Sequence, residues 1–162
     1  MMNYIVLDLE WNQSAKGKKY TLPGMPFEII QMGAVKLDNK FDVIDEFDRL
    51  VCPQVYPVLH SVCGEVTGIT QEMLAEGEHF VDTALDFLEW CGQDYIFCTW
   101  GSTDLVELQR NLNHYAIEAE FPMPFLFYDV QKLRIIVSGT ERTTDWFRGF
   151  FSIGKWFSDL QI

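Results

Sequence analysis

The sequence predicts an α/β domain built on a mixed sheet. Three observations carry that prediction: an alternating strand near the N-terminus, two β-rich segments folded about an Asp-Asn-Lys turn, and strands that then alternate with helix-length amphipathic stretches. With 162 residues and an apolar fraction of 48%, the chain can build one hydrophobic core but is short for two.

Residues 4–11 alternate, with Ile5, Leu7, Leu9 and Trp11 on one face and Val6, Asp8 and Glu10 on the other. A loop follows from Asn12 to Pro26, rich in Lys, Gly and Pro. Segments 28–37 and 41–51 flank the turn Asp38-Asn39-Lys40 and predict an antiparallel hairpin, which with the first strand makes a three-stranded meander. Two short helical pieces are expected between Pro53 and Gly77, the second opening at Thr70 with Glu72 in its first turn. Phe80, Ala84, Phe87, Leu88 and Cys91 keep helical spacing and predict a helix over about 79–91. Residues 95–100 read as a short buried strand, and Ser102 as the N-cap of a helix to about 117. A last strand is expected at Phe125–Tyr128, after which Asp129 caps a helix ending near Ser138-Gly139.

The net charge is −12, and all of it falls in the first 140 residues, because the last 22 balance Glu141, Asp145 and Asp159 against Arg142, Arg148 and Lys155. A broad basic face for gripping a polyphosphate is therefore excluded. Every apolar run stops well short of the ~20 residues that cross a bilayer, so no membrane partner is expected. The first ten residues lack a basic region and carry acids inside their apolar stretch, unlike a signal peptide. Cys52, Cys63, Cys91 and Cys98 form no C-x-x-C pair, as in reduced thiols of a cytoplasmic protein.

Asp8 and Glu10 lie two apart on one strand, which puts their carboxylates on one face about 7 Å apart at the backbone. On a central strand they would be partly buried, at a cost of several kcal/mol each without a counter-charge. Mg²⁺ or Mn²⁺ is the natural partner, because hard divalent cations take carboxylate oxygens. A bare D-x-E is equally the signature of an edge strand with its acids in water.

The wider pattern runs Tyr-Ile-Val-Leu-Asp8-Leu-Glu10-Trp, then Phe27-Glu-Ile-Ile-Gln-Met-Gly33-Ala-Val-Lys-Leu, Val66-Thr-Gly68-Ile-Thr70 and Trp100-Gly-Ser-Thr-Asp104-Leu. In this order, over roughly residues 3–138, it resembles the DEDDh (DnaQ-like) 3′→5′ exonucleases. Within them it looks closest to the subgroup of histone-mRNA 3′-end exonucleases and the sporulation-inhibitor exonuclease of Gram-positive bacteria. The resemblance implies a ribonuclease H-like fold, with residues 1–140 as the exonuclease domain and 141–162 as a divergent, aromatic-rich end of it. It also implies a two-metal site for Mg²⁺ or Mn²⁺, and release of nucleoside 5′-monophosphates from single-stranded RNA or DNA 3′ ends.

Asp8, Glu10 and Asp104 are the catalytic and metal-binding residues on this reading; a plain favourable charge at a helix N-terminus is the alternative for Asp104. The family places substrate contacts on the backbone after the first motif, here Leu9, Trp11 and Asn12. Lys16, Lys18 and Lys19 follow and are candidates to hold phosphates, or form a solvated basic loop. Asp129 reads as an N-cap rather than a ligand.

The resemblance also calls for a His that takes the proton of the attacking water, in the pattern H-x4-D with a last metal-binding Asp. The three histidines, His60, His79 and His114, have Glu65, Ala84 and Ala119 five places on, so the pattern is missing. The alternative Y-x3-D occurs only from Tyr4 to Asp8, whose Asp already serves the first motif. Without that His and the last Asp the exonuclease activity of this chain is expected to be impaired or absent; truncation or frame change, a natural pseudo-enzyme, or residues supplied by another chain would each account for the missing pattern. The first is expected, because the resemblance stops abruptly after Glu141-Arg142; the fold is then C-terminally incomplete. In the tail, Trp146, Phe150, Ile153, Phe157 and Leu160 keep helical spacing, as core filling or as a base-stacking platform. A non-enzymatic module that binds nucleic-acid 3′ ends or a protein is the competing function. Oligomeric state is not encoded in any pattern of the sequence.

Overall fold

The computed structural model describes residues 2–119 and 126–132. Five strands form one sheet in the order β3-β2-β1-β4-β5: β1 (Asn3–Asn12), β2 (Glu28–Leu37), β3 (Val43–Leu50), β4 (Tyr95–Thr99) and β5 (Phe127–Asp129). Among the described residues they are accompanied by the helices α1 (Ser61–Thr67), α2 (Gln71–Ala75), α3 (Phe80–Cys91) and α4 (Thr103–His114). β1, β2 and β3 make an antiparallel meander, and β4 and β5 continue parallel from β1. The mixed sheet of the sequence prediction is thus the observed one.

Alternation along β1 sorts its side chains between two layers. Ile5, Leu7 and Leu9 enter the main core with Ala34 and Phe47 from the meander, Phe97 from β4, Phe80, Ala84 and Phe87 from α3, and Leu108 and Leu112 from α4. Val6 faces the other side with Val35, Leu37 and Cys98, packed by Tyr4, Phe41 and Val130. Two helices therefore cover one face of β1, and Asp8 and Glu10 emerge on the other.

Some boundaries differ from expectation for local reasons. α4 begins at Thr103, and Ser102 makes no side-chain cap bond, because its own backbone already lies near helical angles (φ −107°, ψ −2°) and cannot aim the hydroxyl at the first turn. α4 stops at His114, followed by Ala116 at φ 52°, so it is shorter than the helix predicted to residue 117. β5 lies at Phe127–Asp129 rather than 125–128, in register with Phe97, Cys98 and Thr99. The 12–26 loop contains a 3-10 turn at Lys18–Tyr20. Thr70 caps α2 as predicted, its side chain accepting the Met73 N–H. Asp129 also acts as a cap: its Oδ1 accepts the Lys132 N–H at 3.0 Å. The rest of the predicted final helix and the 141–162 segment lie outside the described residues.

No helix among the described residues is long and apolar enough to cross a membrane. All four cysteines are free thiols.

Candidate active site

Parallel pairing between β1 and β4 runs only as far as Val6 and Cys98, and β4 ends at Thr99. Among the described residues no strand lies beside the edge of β1 beyond that point. Asp104, in the first turn of α4, fills part of the gap: its Oδ1 accepts the Leu9 N–H at 3.2 Å. One hydrogen bond thus places the third candidate carboxylate against the strand segment that carries the first two.

Cross-strand partners share a face of the sheet. Asp8 stands opposite Gly33 of β2, so no side chain crowds its carboxylate from that strand. Glu10 stands opposite Gln31, whose Nε2 donates to Asp48 Oδ1 at 2.9 Å. Immediately after Glu10 the register slips by one residue, so that Trp11 pairs with Ile29. Such bulges re-aim a strand locally and recur beside active sites.

The electrostatics of the three acids are those of like charges held together. Burial raises the Asp8 carboxyl above its ordinary value. Burial, then the charges of Asp8 and Asp104, push Glu10 up to about 7. Asp104 rises to about 6 through burial and the charge of Asp8, against the pull of its hydrogen bond from Leu9. Among the described residues no Lys or Arg makes an ion pair with any of them. Nor are three His, Cys, Asp or Glu side chains gathered there into a ready-made metal-holding group. The donor set, three carboxylates that repel one another, suits a hard divalent cation in chemistry. Cys63 on α1 senses Glu10 as well, its thiol raised by burial and by that charge while a backbone N–H at Gln13 opposes the rise.

The remaining predicted contact residues fall into two groups. Leu9 is buried in the main core and its N–H is engaged by Asp104, while Trp11 packs on that core with its ring 5.8 Å from Phe27. Asn12 is fully buried: its Nδ2 donates to the carbonyls of Tyr56 (2.8 Å) and Val58 (3.0 Å), and its Oδ1 accepts the His60 N–H (2.9 Å). Its side chain therefore fastens the 56–60 segment to the end of β1. Lys16, Lys18 and Lys19 are exposed on the loop beyond, and none of them is among the groups that shift the three carboxylates.

Sequence reasoning missed two buried polar residues that hold this region. Glu28, 1% exposed, accepts the N–H groups of Gln54, Val55 and Tyr56 at 2.6–3.0 Å and the Tyr115 hydroxyl at 3.2 Å. Asn111 of α4 accepts the Ile29 N–H and donates to the Phe27 carbonyl, both at 3.1 Å, tying the helix that carries Asp104 to the strand beside β1. The only sequence signal for them was a single acid heading an apolar strand and an amide on the apolar stripe of a helix.

Comparison with known proteins follows the same lines. The family model described as Exonuclease (RNase_T) matches residues 5–139. ERI1 exoribonuclease 2 of Mus musculus is 37% identical over 90 residues, 53% of this chain and 12% of that protein. "Probable 3'-5' exonuclease KapD" of Bacillus subtilis (strain 168) is 30% identical over 125 residues, 75% of this chain and 56% of that protein. The chain thus spans only part of the length of these curated relatives. The nuclease domain of 3'hExo, a DEDDh family member solved with rAMP bound, superposes with a TM-score of 0.69 at 19% identity, covering 85% of this chain and 71% of that one. With the family model matched over most of its length, and with the fold of the DEDDh 3′ exonucleases, the chain belongs to the RNase_T exonuclease family.

Proposed function

We propose that the chain is a metal-dependent 3′→5′ exonuclease of single-stranded RNA or DNA ends, releasing nucleoside 5′-monophosphates. The observation that carries this reading is the set Asp8, Glu10 and Asp104: two half-buried carboxylates and one buried one, mutually repelling, with no cationic partner among the described residues. Mg²⁺ or Mn²⁺ bound there would orient the attacking water and polarise the terminal phosphodiester. The residues contribute the rest. Asp8 and Glu10 present oxygens from one face of β1, Gly33 leaves space beside Asp8, and the Leu9 N–H keeps Asp104 turned toward them. An adenosine monophosphate in the related 3'hExo nuclease domain supports a nucleotide as the ligand class. On this reading residues 1–140 form the exonuclease domain, 141–162 an aromatic-rich extension of it, and the free thiols suit a cytoplasmic location.

A second reading, a strand-binding module with little turnover, is favoured by one observation. None of the three histidines stands in H-x4-D spacing, and His60 turns its Nδ1 to the Val62 N–H as a helix cap. Loss of a general base costs about 10²–10⁴-fold in rate. Incubation of 3′-labelled single-stranded RNA and DNA with Mn²⁺ separates the two. Stepwise shortening that disappears in Asp8→Ala supports the exonuclease; binding without shortening supports the module, and neither binding nor shortening overturns both.

A further inference from the structure

A cleft of about 700 Å³ opens past the end of β1, between the 14–23 loop and the 55–58 segment. Its size falls within the ~300–1,000 Å³ of typical ligand sites. None of Asp8, Glu10 and Asp104 lines it. Leu22, Val55 and Val58 give it apolar walls, and Lys16, Lys19 and Tyr20 stand at the loop side. Tyr20 is 55% exposed, with the Lys19 ammonium 5.1 Å from its ring centroid.

The walls are fixed to each other. The Tyr56 hydroxyl donates to the Met25 carbonyl at 2.7 Å and accepts the Leu22 N–H at 2.8 Å, crossing from one wall to the other. Asn12 and Glu28 hold the 54–60 segment from below through their buried hydrogen bonds. A ligand would meet a cleft that is already formed, which lowers the ordering cost of binding.

Charge identifies the ligand class. The chain has 24 Asp and Glu, yet residues 11–27 and 51–64, the two stretches that supply these walls, contain none. Three of its 12 Lys and Arg fall within positions 16–19. In an otherwise acidic protein this is an acid-free, basic, apolar-walled cleft with an exposed aromatic ring. Those are the elements that hold single-stranded nucleic acid: cations for the backbone and a ring for the base. Lys16 lies six residues past Glu10, within about 20 Å along an extended chain.

We propose that this cleft is a second subsite, taking an unpaired nucleotide of the substrate strand on the 5′ side of the one at the carboxylates. Lys16 and Lys19 meet its phosphate, and Tyr20 with the apolar walls receives its base. The identity of the strand rests on the exonuclease reading; the cleft and its charge do not.

The test is binding of a fluorescently labelled single-stranded octanucleotide in EDTA, where turnover does not intrude, read by anisotropy across a salt series. The Lys16→Glu/Lys19→Glu double variant should bind at least tenfold more weakly. Its log-log salt dependence should be shallower by roughly 1.4, the value for two phosphate contacts on a single strand. Tyr20→Ala should lose about tenfold. Lys40→Glu, on the turn at the opposite end of the β1–β2 pair, is the control and should leave the salt slope in place. A wild-type slope in the double variant overturns the proposal, as does free AMP competing with the octanucleotide at equal affinity. Strand binding without shortening by the wild type, with the variants weakened, sinks the catalytic reading and keeps the subsite. Shortening by the wild type with variants that bind normally does the reverse.

Discussion

Asp104 Oδ1 accepts the backbone N–H of Leu9, midway between Asp8 and Glu10 on β1. The bond does two separable things: it satisfies a buried donor that β4 is too short to reach, and it holds a negative charge beside two others. Asp104→Asn keeps the accepting oxygen and removes the charge. In the metal-free protein it should be as stable as the wild type or more so, while Mn²⁺ binding falls at least tenfold. Asp104→Ala orphans the Leu9 N–H and should cost about 1–3 kcal/mol. Urea midpoints and calorimetric titration give both readings, and equal destabilisation by the two variants would show the hydrogen bond to be unimportant.

The same carboxylates set a pH dependence. Glu10 is raised to about 7 and Asp104 to about 6, above their ordinary values of 4.5 and 3.8. A raised carboxyl favours the folded state while protonated, so its contribution is fully present below the unfolded value and is lost as pH climbs through the folded one. The Tm of the metal-free protein should therefore fall between about pH 4 and 7 by more than the rest of the chain accounts for. Glu10→Gln should flatten part of that fall. Mn²⁺ should counter it by displacing protons, and EDTA should restore it. A metal-free Tm that does not fall over this range would mean that the acids are well solvated.

Asn12 and Glu28 hold the 54–60 segment by buried polar groups. Asn12→Ala removes three hydrogen bonds, and Glu28→Gln turns a donor amide toward backbone N–H groups. Each should cost about 2–4 kcal/mol, with the segment becoming the first site of proteolytic nicking. Loss of stability without new cleavage between residues 54 and 60 would locate the damage elsewhere.

On the proposed exonuclease reading, none of His60, His79 and His114 stands in H-x4-D spacing, so no histidine of the given sequence is assigned to take the proton of the attacking water. Added imidazole should therefore raise the rate of strand shortening several-fold, with a pH profile following its own titration. An unchanged rate would assign the proton to a group already present.

Much of the fold was legible because period and burial agree. β1 alternates cleanly, β2 matches its predicted limits of 28 and 37, and Thr70 caps the helix it was expected to cap. Ser102 misled because capping depends on the backbone angles of one residue, which composition does not reveal. The carboxylate pair was legible from its i, i+2 spacing, and Asp104 from the family pattern. Asn12 was legible as a position, but its structural role was not, because only the folded chain brings residues 56–60 against it. Glu28 was hidden for the same reason, since its four partners lie 26–87 positions away.

Among the described residues β3 is one edge of the sheet, and it exposes Asp45, Glu46 and Asp48 along a row of backbone donors and acceptors with no described strand outside it. Such a row invites pairing with another chain's strand, and closely spaced like charges repel an identical edge brought alongside. Part of the negative charge of this protein therefore works as a guard against self-templated aggregation. Neutralising Asp45 and Glu46 together, while keeping Asp48 as the partner of Gln31, would leave the candidate site's contacts in place and yet shorten the life of a concentrated solution.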